Sequence, residues 1–175
     1  LLRGNTNSKN IYIYSGGNYN FTGVVSANTL SSGFEFRSVS NVFIQYSVFY
    51  NSPWGIYCQY KDVTNLNIVN CSFINNSSQG IIEYFYSDTN LIHVINRIWN
   101  SIFINNGTAI YRNDTITGTT NWRTIIKTND FNCFYNNSQN FFAETNSGAG
   151  NISNIDPLII DYTNYDFRLN GNSIF

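Results

Sequence analysis

Glu83 and Arg112 stand at one offset, two residues past Ile81 and Ile110, in two copies of a recurring pattern. A carboxylate opposite a guanidinium can act as a base–cation pair or simply as an ion pair between neighbouring elements. These two are the fallback catalytic residues of the chain. His93, the sole histidine, sits inside the apolar run LIHVI and reads as a packed imidazole. The ten acidic residues are scattered, with no DxD or DxxDD cluster, and nothing in their spacing calls for a metal or a cofactor. Cys58, Cys71 and Cys133 have neither CxxC spacing nor a disulfide framework, and read as small buried fillers. The balance leans away from an enzyme and leaves that question open.

Two further groups of side chains bear chemistry. Eight N-x-S/T sequons fall at Asn20, Asn70, Asn75, Asn76, Asn106, Asn113, Asn136 and Asn151. They are candidates for N-glycosylation, although a chain this rich in Asn, Ser and Thr produces many by composition alone. Aromatic residues make up 17% of the chain. Alternation along a strand sends Glu35, Tyr57, Ile82, Tyr111 and Phe142 outward. With Tyr60, Tyr84 and Tyr86, and with Trp122 in the insert GTTNWRTIIK, the outward tyrosines form a stripe suited to sugar rings or to packing under a neighbouring subunit.

The elements that must position these residues come from a repeat. VFYNSPWGIY (48–57), SFINNSSQGII (72–82), IFINNGTAIY (102–111) and CFYNNSQNFF (133–142) share one plan: Phe, Ile or Tyr, one or two Asn, small polar residues, then an apolar residue. SGFEF (32–36) repeats the last part, with Phe34 in the apolar place. Upstream, VSNVFI (39–44), VTNLNI (63–68) and DTNLIHVI (88–95) align on Asn41, Asn65 and Asn90. Segments of four to six residues rich in Ile, Val, Phe and Tyr are strands, and helices need longer runs. Three strands per repeat predict an all-β, right-handed parallel β-helix, a solenoid of about five coils of 22–31 residues. Phe49, Phe73, Phe103 and Phe134 should stack inside as one ladder. Asn51, Asn76, Asn106 and Asn137 should form a second ladder at a corner that needs positive φ.

These features resemble right-handed parallel β-helix proteins of the pectate-lyase-like superfamily. The copies of N-x-x-F-x-N-N carry the resemblance along the coils (1–150). The tail (151–175) carries it through NISNIDPLIIDYTNYDFRLNGNS, which is similar to a "DPLF-V-D…DFRL-x-x-x-S" ending of extracellular β-helices. Asp156, Pro157, Asp166, Phe167, Leu169 and Ser173 match that ending, while Ile174 replaces the usual following Pro. Asp156 and Asp166 then read as turn residues. The Asn-, Ile- and Tyr-rich flavour is closest to adhesin-like surface proteins. The resemblance implies an extracellular or cell-surface segment with a structural or adhesive role, carrying N-glycans or contacting polysaccharide. The alternatives are a polysaccharide lyase or glycoside hydrolase, whose carboxylates would line one outer sheet, and a phage tail-type fibre.

The net charge of −1 gives no field for nucleic acid, and no apolar run is long enough for a transmembrane helix. Partners are therefore expected among polysaccharides, flanking coils or other subunits. The opening LLRGNTNSKN, without Met, reads as an excerpt of a longer chain.

Overall fold

A computed structural model describes residues 2–3, 9–59, 65–84, 91–112, 116–117, 120–126, 128–142 and 148–173. The chain winds as a parallel β-helix with three sheets. The first sheet has seven strands: Leu2–Arg3, Val25–Ala27, Val48–Tyr50, Ser72–Ile74, Ile102–Ile104, Cys133–Tyr135 and Ile152–Ser153. The second has six: Ile11–Ile13, Ser32–Arg37, Trp54–Gln59, Gln79–Tyr84, Thr108–Arg112 and Gln139–Phe142. Gly16–Thr22, Val39–Gln45, Asn65–Val69 and Leu91–Trp99 build the third. Its last strand is lined by Thr120–Ile126 and Asn129–Asp130 together.

The Phe ladder is as the repeat predicts. Phe49, Phe73, Phe103 and Phe134 are Cα partners in successive coils. Their rings lie 5.0, 4.8 and 5.1 Å apart and within 11° of parallel. The column ends edge-on, on Phe34 at one end and Phe141 at the other. It dictates its neighbours. A Cβ on Gly80 would lie 2.7 Å from the Ala109 carbonyl and 3.1 Å from the Phe103 ring, so a side chain there collides with the stack.

Two of the three corners are built alike. Three residues before each ladder Phe, and two residues after it, the backbone turns left-handed. The leading positions are Tyr46, Asn70, Asn100 and Phe131; the trailing ones are Asn51, Asn75, Asn105 and Asn136, all with φ between 49° and 57°. This corrects the expectation for Asn76, Asn106 and Asn137. The first Asn of each pair takes positive φ, and the second turns its side chain into the coil. There Asn76 Nδ2 donates to Asn106 Oδ1 at 2.9 Å, and Asn106 Nδ2 donates to Asn137 Oδ1 at 2.9 Å. Each also donates to the carbonyl of a ladder Phe in the preceding coil. The left-handed residues form a second, outer ladder, with Asn105 Nδ2 donating to Asn75 Oδ1 and Asn136 Nδ2 to Asn105 Oδ1. A doubled Asn therefore closes the turn with one residue and ties the coils together with the next.

The third corner, between the second and third sheets, varies. From Phe34 to Ile44 the chain spans 10 residues, from Ile56 to Ile68 it spans 12, from Ile81 to Ile98 it spans 17, and from Ile110 to Asn129 it spans 19. This overturns one alignment. Leu66 faces Ile95, and Leu91 faces Trp122, so DTNLIHVI is not a third copy of VTNLNI.

After Ile152–Ser153 the tail folds back along the outside of the first sheet as an antiparallel pair, Ile159–Asp161 with Asp166–Leu169. Tyr162, Tyr165 and Phe167 surround the Tyr50 ring at centroid distances of 6.2, 5.8 and 5.8 Å. Asn28 Nδ2 donates to the Tyr165 hydroxyl at 2.6 Å. Ile104 shares a cavity with Leu158, Ile159, Ile160 and Tyr162. Ile104 is consequently buried although it does not belong to the internal core.

Candidate glycan-contacting face

The outward side of the third sheet is polar and aromatic in register. Asn18, Asn41 and Asn65 form one column, hydrogen-bonded amide to amide at 2.6 and 3.1 Å. Asn20, Phe43, Asn67 and Arg97 form the next, followed by Thr22, Gln45, Val69 and Trp99. Two cavities open on this side. One, of about 250 Å³, lies over Asn18, Asn20, Asn41 and Phe43. The other, of about 380 Å³, is lined by Val69, Asn70, Trp99, Asn100 and Phe131.

The larger cavity is walled by two aromatic rings and rimmed by amides. Trp99 is 37% exposed and Phe131 54%, with ring centroids 6.0 Å apart and planes tilted by 50°. The Arg97 guanidinium lies 4.9 Å from the centre of the Trp99 ring. Asn100 Nδ2 donates to Asn70 Oδ1 at 2.6 Å, fixing a pair of amides on the rim. An apolar floor with a few oriented polar groups is the usual make-up of a small-ligand site. Phe131 holds φ 57° and Tyr46 φ 50° where the neighbouring coils use Gly23, Asn70 and Asn100. A bulky aromatic in the left-handed region costs energy that Asn or Gly largely avoids. Two coils nevertheless place exposed rings there.

The second sheet is different. Tyr12, Glu35, Tyr57, Ile82, Tyr111 and Phe142 do form one outward column. Tyr111 and Phe142 stack at 4.6 Å, and Tyr57 stacks on Trp54 at 5.1 Å. Exposure departs from simple alternation, because Glu35 and Ile82 are buried. Glu35 is covered by Lys9 and Arg37, each 2.8 Å from a carboxylate oxygen, and both cations lie against the Tyr12 ring. Glu83 and Arg112 are Cα partners in adjacent coils. Glu83 shares a register column with Cys58 and Phe36, which belong to the core, so its buried carboxyl lies on the core side of the sheet. It helps, after burial itself and ahead of Glu35, to push the Cys58 thiol well above its ordinary range. Burial likewise raises Cys71 and Cys133 to about 12, and all three are free buried thiols. The described residues contain no group of three or more candidate metal ligands, and no helix among them is long and apolar enough to cross a membrane.

Tyr84, Arg112 and Trp122 are placed by backbone pairing, and their side chains lie outside the described structure, as does that of His93. Tyr60, Tyr86, Asn90 and Asn113 lie outside the described residues. Asp156 accepts from the Leu158 N–H in a turn; Asp166 starts a strand and pairs with Arg168. Of the sequons, Asn20 is exposed, Asn76 and Asn106 are fully inside, and Asn136 is in the outer ladder. Asn151 is drawn into the coil. It is half-buried, with Nδ2 donating to the Asn129 carbonyl and Oδ1 accepting from the Asn132 N–H, both at 2.7 Å. Sequence reasoning missed Trp99 and Phe131. Counting three residues back from each ladder Phe would have found Phe131 and its odd place in the column.

No protein-family model, no curated protein and no solved structure matches this chain.

Proposed function

We propose that this chain is a structural or adhesive segment of an extracellular β-helix, acting by surface contact with carbohydrate rather than by catalysis. The observation that carries the reading is the Trp99–Phe131 cavity, an apolar floor with the Asn70–Asn100 amide pair on its rim. Neutral amides and exposed rings complement the hydroxyls and C–H faces of a sugar. The spacing of neighbouring strands, about 4.8 Å, is comparable to one hexose unit, so a glycan lying along the axis would meet equivalent amides coil after coil. The tail motif and the Asn-rich coils favour kinship with the pectate-lyase-like β-helices and, among them, with surface adhesins.

The competing reading is a polysaccharide lyase or hydrolase using Glu83 and Arg112. The position of Glu83, in the register column of core residues Cys58 and Phe36, favours a structural carboxylate over a base meeting substrate on the outer sheet. The test is retention of the folded chain on an array of cell-wall and host glycans, with Trp99→Ala and Phe131→Asn alongside. Phe131→Asn keeps a residue that tolerates positive φ, so its fold is safe. Each variant should weaken retention about tenfold, which corresponds to about 1.4 kcal/mol. Equal retention by the variants, or none by the parent, would refute the reading. Release of reducing or unsaturated sugars that stops with Glu83→Gln would favour the enzyme.

A further inference from the structure

The seven described sequons differ in what their amides already do, and that difference singles out one of them. Asn76 and Asn106 are buried in the inner ladder with both amide atoms engaged. Asn75 accepts from Asn105 and is hydrogen-bonded to Tyr50, and Asn136 Nδ2 donates to Asn105. Asn151 is tied at both atoms. Asn70 is half-buried, accepts from Asn100 and walls the Trp99–Phe131 cavity. Asn113 lies outside the described residues.

Asn20 alone of the described sequons combines exposure with an unspent amide nitrogen. It sits on Gly16–Thr22, the first strand of the third sheet in chain order, and among the described residues no strand of the sheet pairs with its other flank. In N-F-T the strand alternates. Phe21 points inward against Phe34 and Phe36, while Asn20 and Thr22 point out together. Thr22 Oγ1 lies 3.4 Å from Asn20 Oδ1, so hydroxyl and amide of the sequon already face one another. Asn20 Nδ2 donates to no described residue. Next to it is the cavity of about 250 Å³ bounded by Tyr19, Asn41 and Phe43. Phe43 is the Cα partner of Asn20 in the next coil, and gives a linked sugar a ring to lie against.

We infer that Asn20 is an N-glycosylation site, and the one described sequon that carries a glycan in the folded protein. The inference rests on the extracellular placement proposed above. The chemistry is transfer from a lipid diphosphate-linked oligosaccharide. Asn20 Nδ2 forms a bond to the anomeric carbon, the bond from that carbon to the phosphate oxygen breaks, the lipid diphosphate leaves, and the amide proton passes to a base of the transferase. The first sugar then covers the Phe43 cavity.

The experiment is secretion of the full chain from a glycosylating eukaryotic host behind a leader peptide. The folded, monodisperse fraction is treated with peptide-N-glycosidase in heavy-oxygen water, and peptides are mapped by mass. The expected result is label at Asn20, lost in both Asn20→Gln and Thr22→Ala, with no label at Asn70, Asn75, Asn76, Asn106, Asn136 or Asn151. An unlabelled Asn20 in folded secreted protein overturns the inference, as does label at any of those six. Because the leader imposes secretion, failure there counts against the site and not against the extracellular reading. Label at Asn20 in this host, with bare protein from native material, upholds the site and counts against the extracellular reading. Retention on glycan arrays, measured on the Asn20→Gln protein, reports on the Trp99–Phe131 cavity separately.

Discussion

Replacing Asn106 by Ala tests how much of the rod depends on the inner amide ladder. Asn106 Nδ2 donates to the Phe73 carbonyl and to Asn137 Oδ1, and its Oδ1 accepts from Asn76 N and Asn76 Nδ2. Removing the amide strands the Asn76 N–H, since Asn76 is fully buried, whereas the Phe73 carbonyl loses one of two donors because it lies in the parallel ladder with Ile102–Ile104. Asn76 Nδ2 keeps the Phe49 carbonyl, and the half-buried Asn137 can turn to water. Stranding a buried polar group costs about 1–3 kcal/mol. One such group at about 2 kcal/mol, with about 1 kcal/mol for the bond lost at the Phe73 carbonyl, gives a loss of about 3 kcal/mol, against a typical domain stability of about 5–15 kcal/mol. The control is Asn105→Gly, which removes the neighbouring outer amide but keeps a residue free to adopt φ 52°. Its partners Asn75 and Asn136 are reached by water, so the control should lose about 1 kcal/mol. Urea unfolding at neutral pH, followed by tryptophan fluorescence and circular dichroism, measures both. A loss below about 1 kcal/mol for Asn106→Ala, or one no larger than that of Asn105→Gly, would refute the assignment of structural weight to the inner ladder.

Phe103→Ala should cost about 3–5 kcal/mol in the same assay, because the ring is wholly buried between two parallel neighbours and the stack cannot close the gap; an unmoved midpoint would contradict the ladder. The tail should loosen in acid. Asp161, through hydrogen bonds from Thr163 and Asn164, and Asp166, through its hydrogen bond with Arg168, are both held below the ordinary carboxylate value of 3.8. Groups with lowered folded values stabilise the native state above the unfolded pKa and lose that contribution as pH falls through the folded one. The aromatic circular dichroism of the Tyr50, Tyr162 and Tyr165 cluster should therefore weaken below about pH 4 before the far-ultraviolet strand signal does. Simultaneous loss of the two signals would show that the tail is not a separately titrating element.

The internal column was legible because one large residue type recurs at a fixed offset, and stacking makes equal offsets into contacts. The two Asn ladders were legible as a property of the NN pair but not in their division of labour. Either Asn of Asn75–Asn76 tolerates positive φ, and only the position of the Phe49 carbonyl decides which amide must turn inward. The TNL shared by 64–66 and 89–91 misled, since it sits at the corner whose length is not fixed by stacking. Trp99 and Phe131 were hidden for a related reason. Their corner is occupied by Gly23, Tyr46, Asn70, Asn100 and Phe131, which share a backbone angle but no single residue type. The burial of Glu35 depends on Lys9, far from the repeat that placed the carboxylate on an outward column.

The unequal third corner gives the rod a direction in which it can change. Two seams are clamped by left-handed turns and amide ladders, so an inserted or deleted residue there would throw every later coil out of register. The remaining seam has absorbed successive spans of 10, 12, 17 and 19 residues while the Phe column stayed within 0.3 Å of constant spacing. Variation is thus channelled to one edge of the molecule, where new segments can be acquired, lost or exchanged at little risk to folding. A lineage of such chains can diversify what it displays along that edge while inheriting the same spine, and an engineer can graft a foreign peptide between the second and third sheets for the same reason.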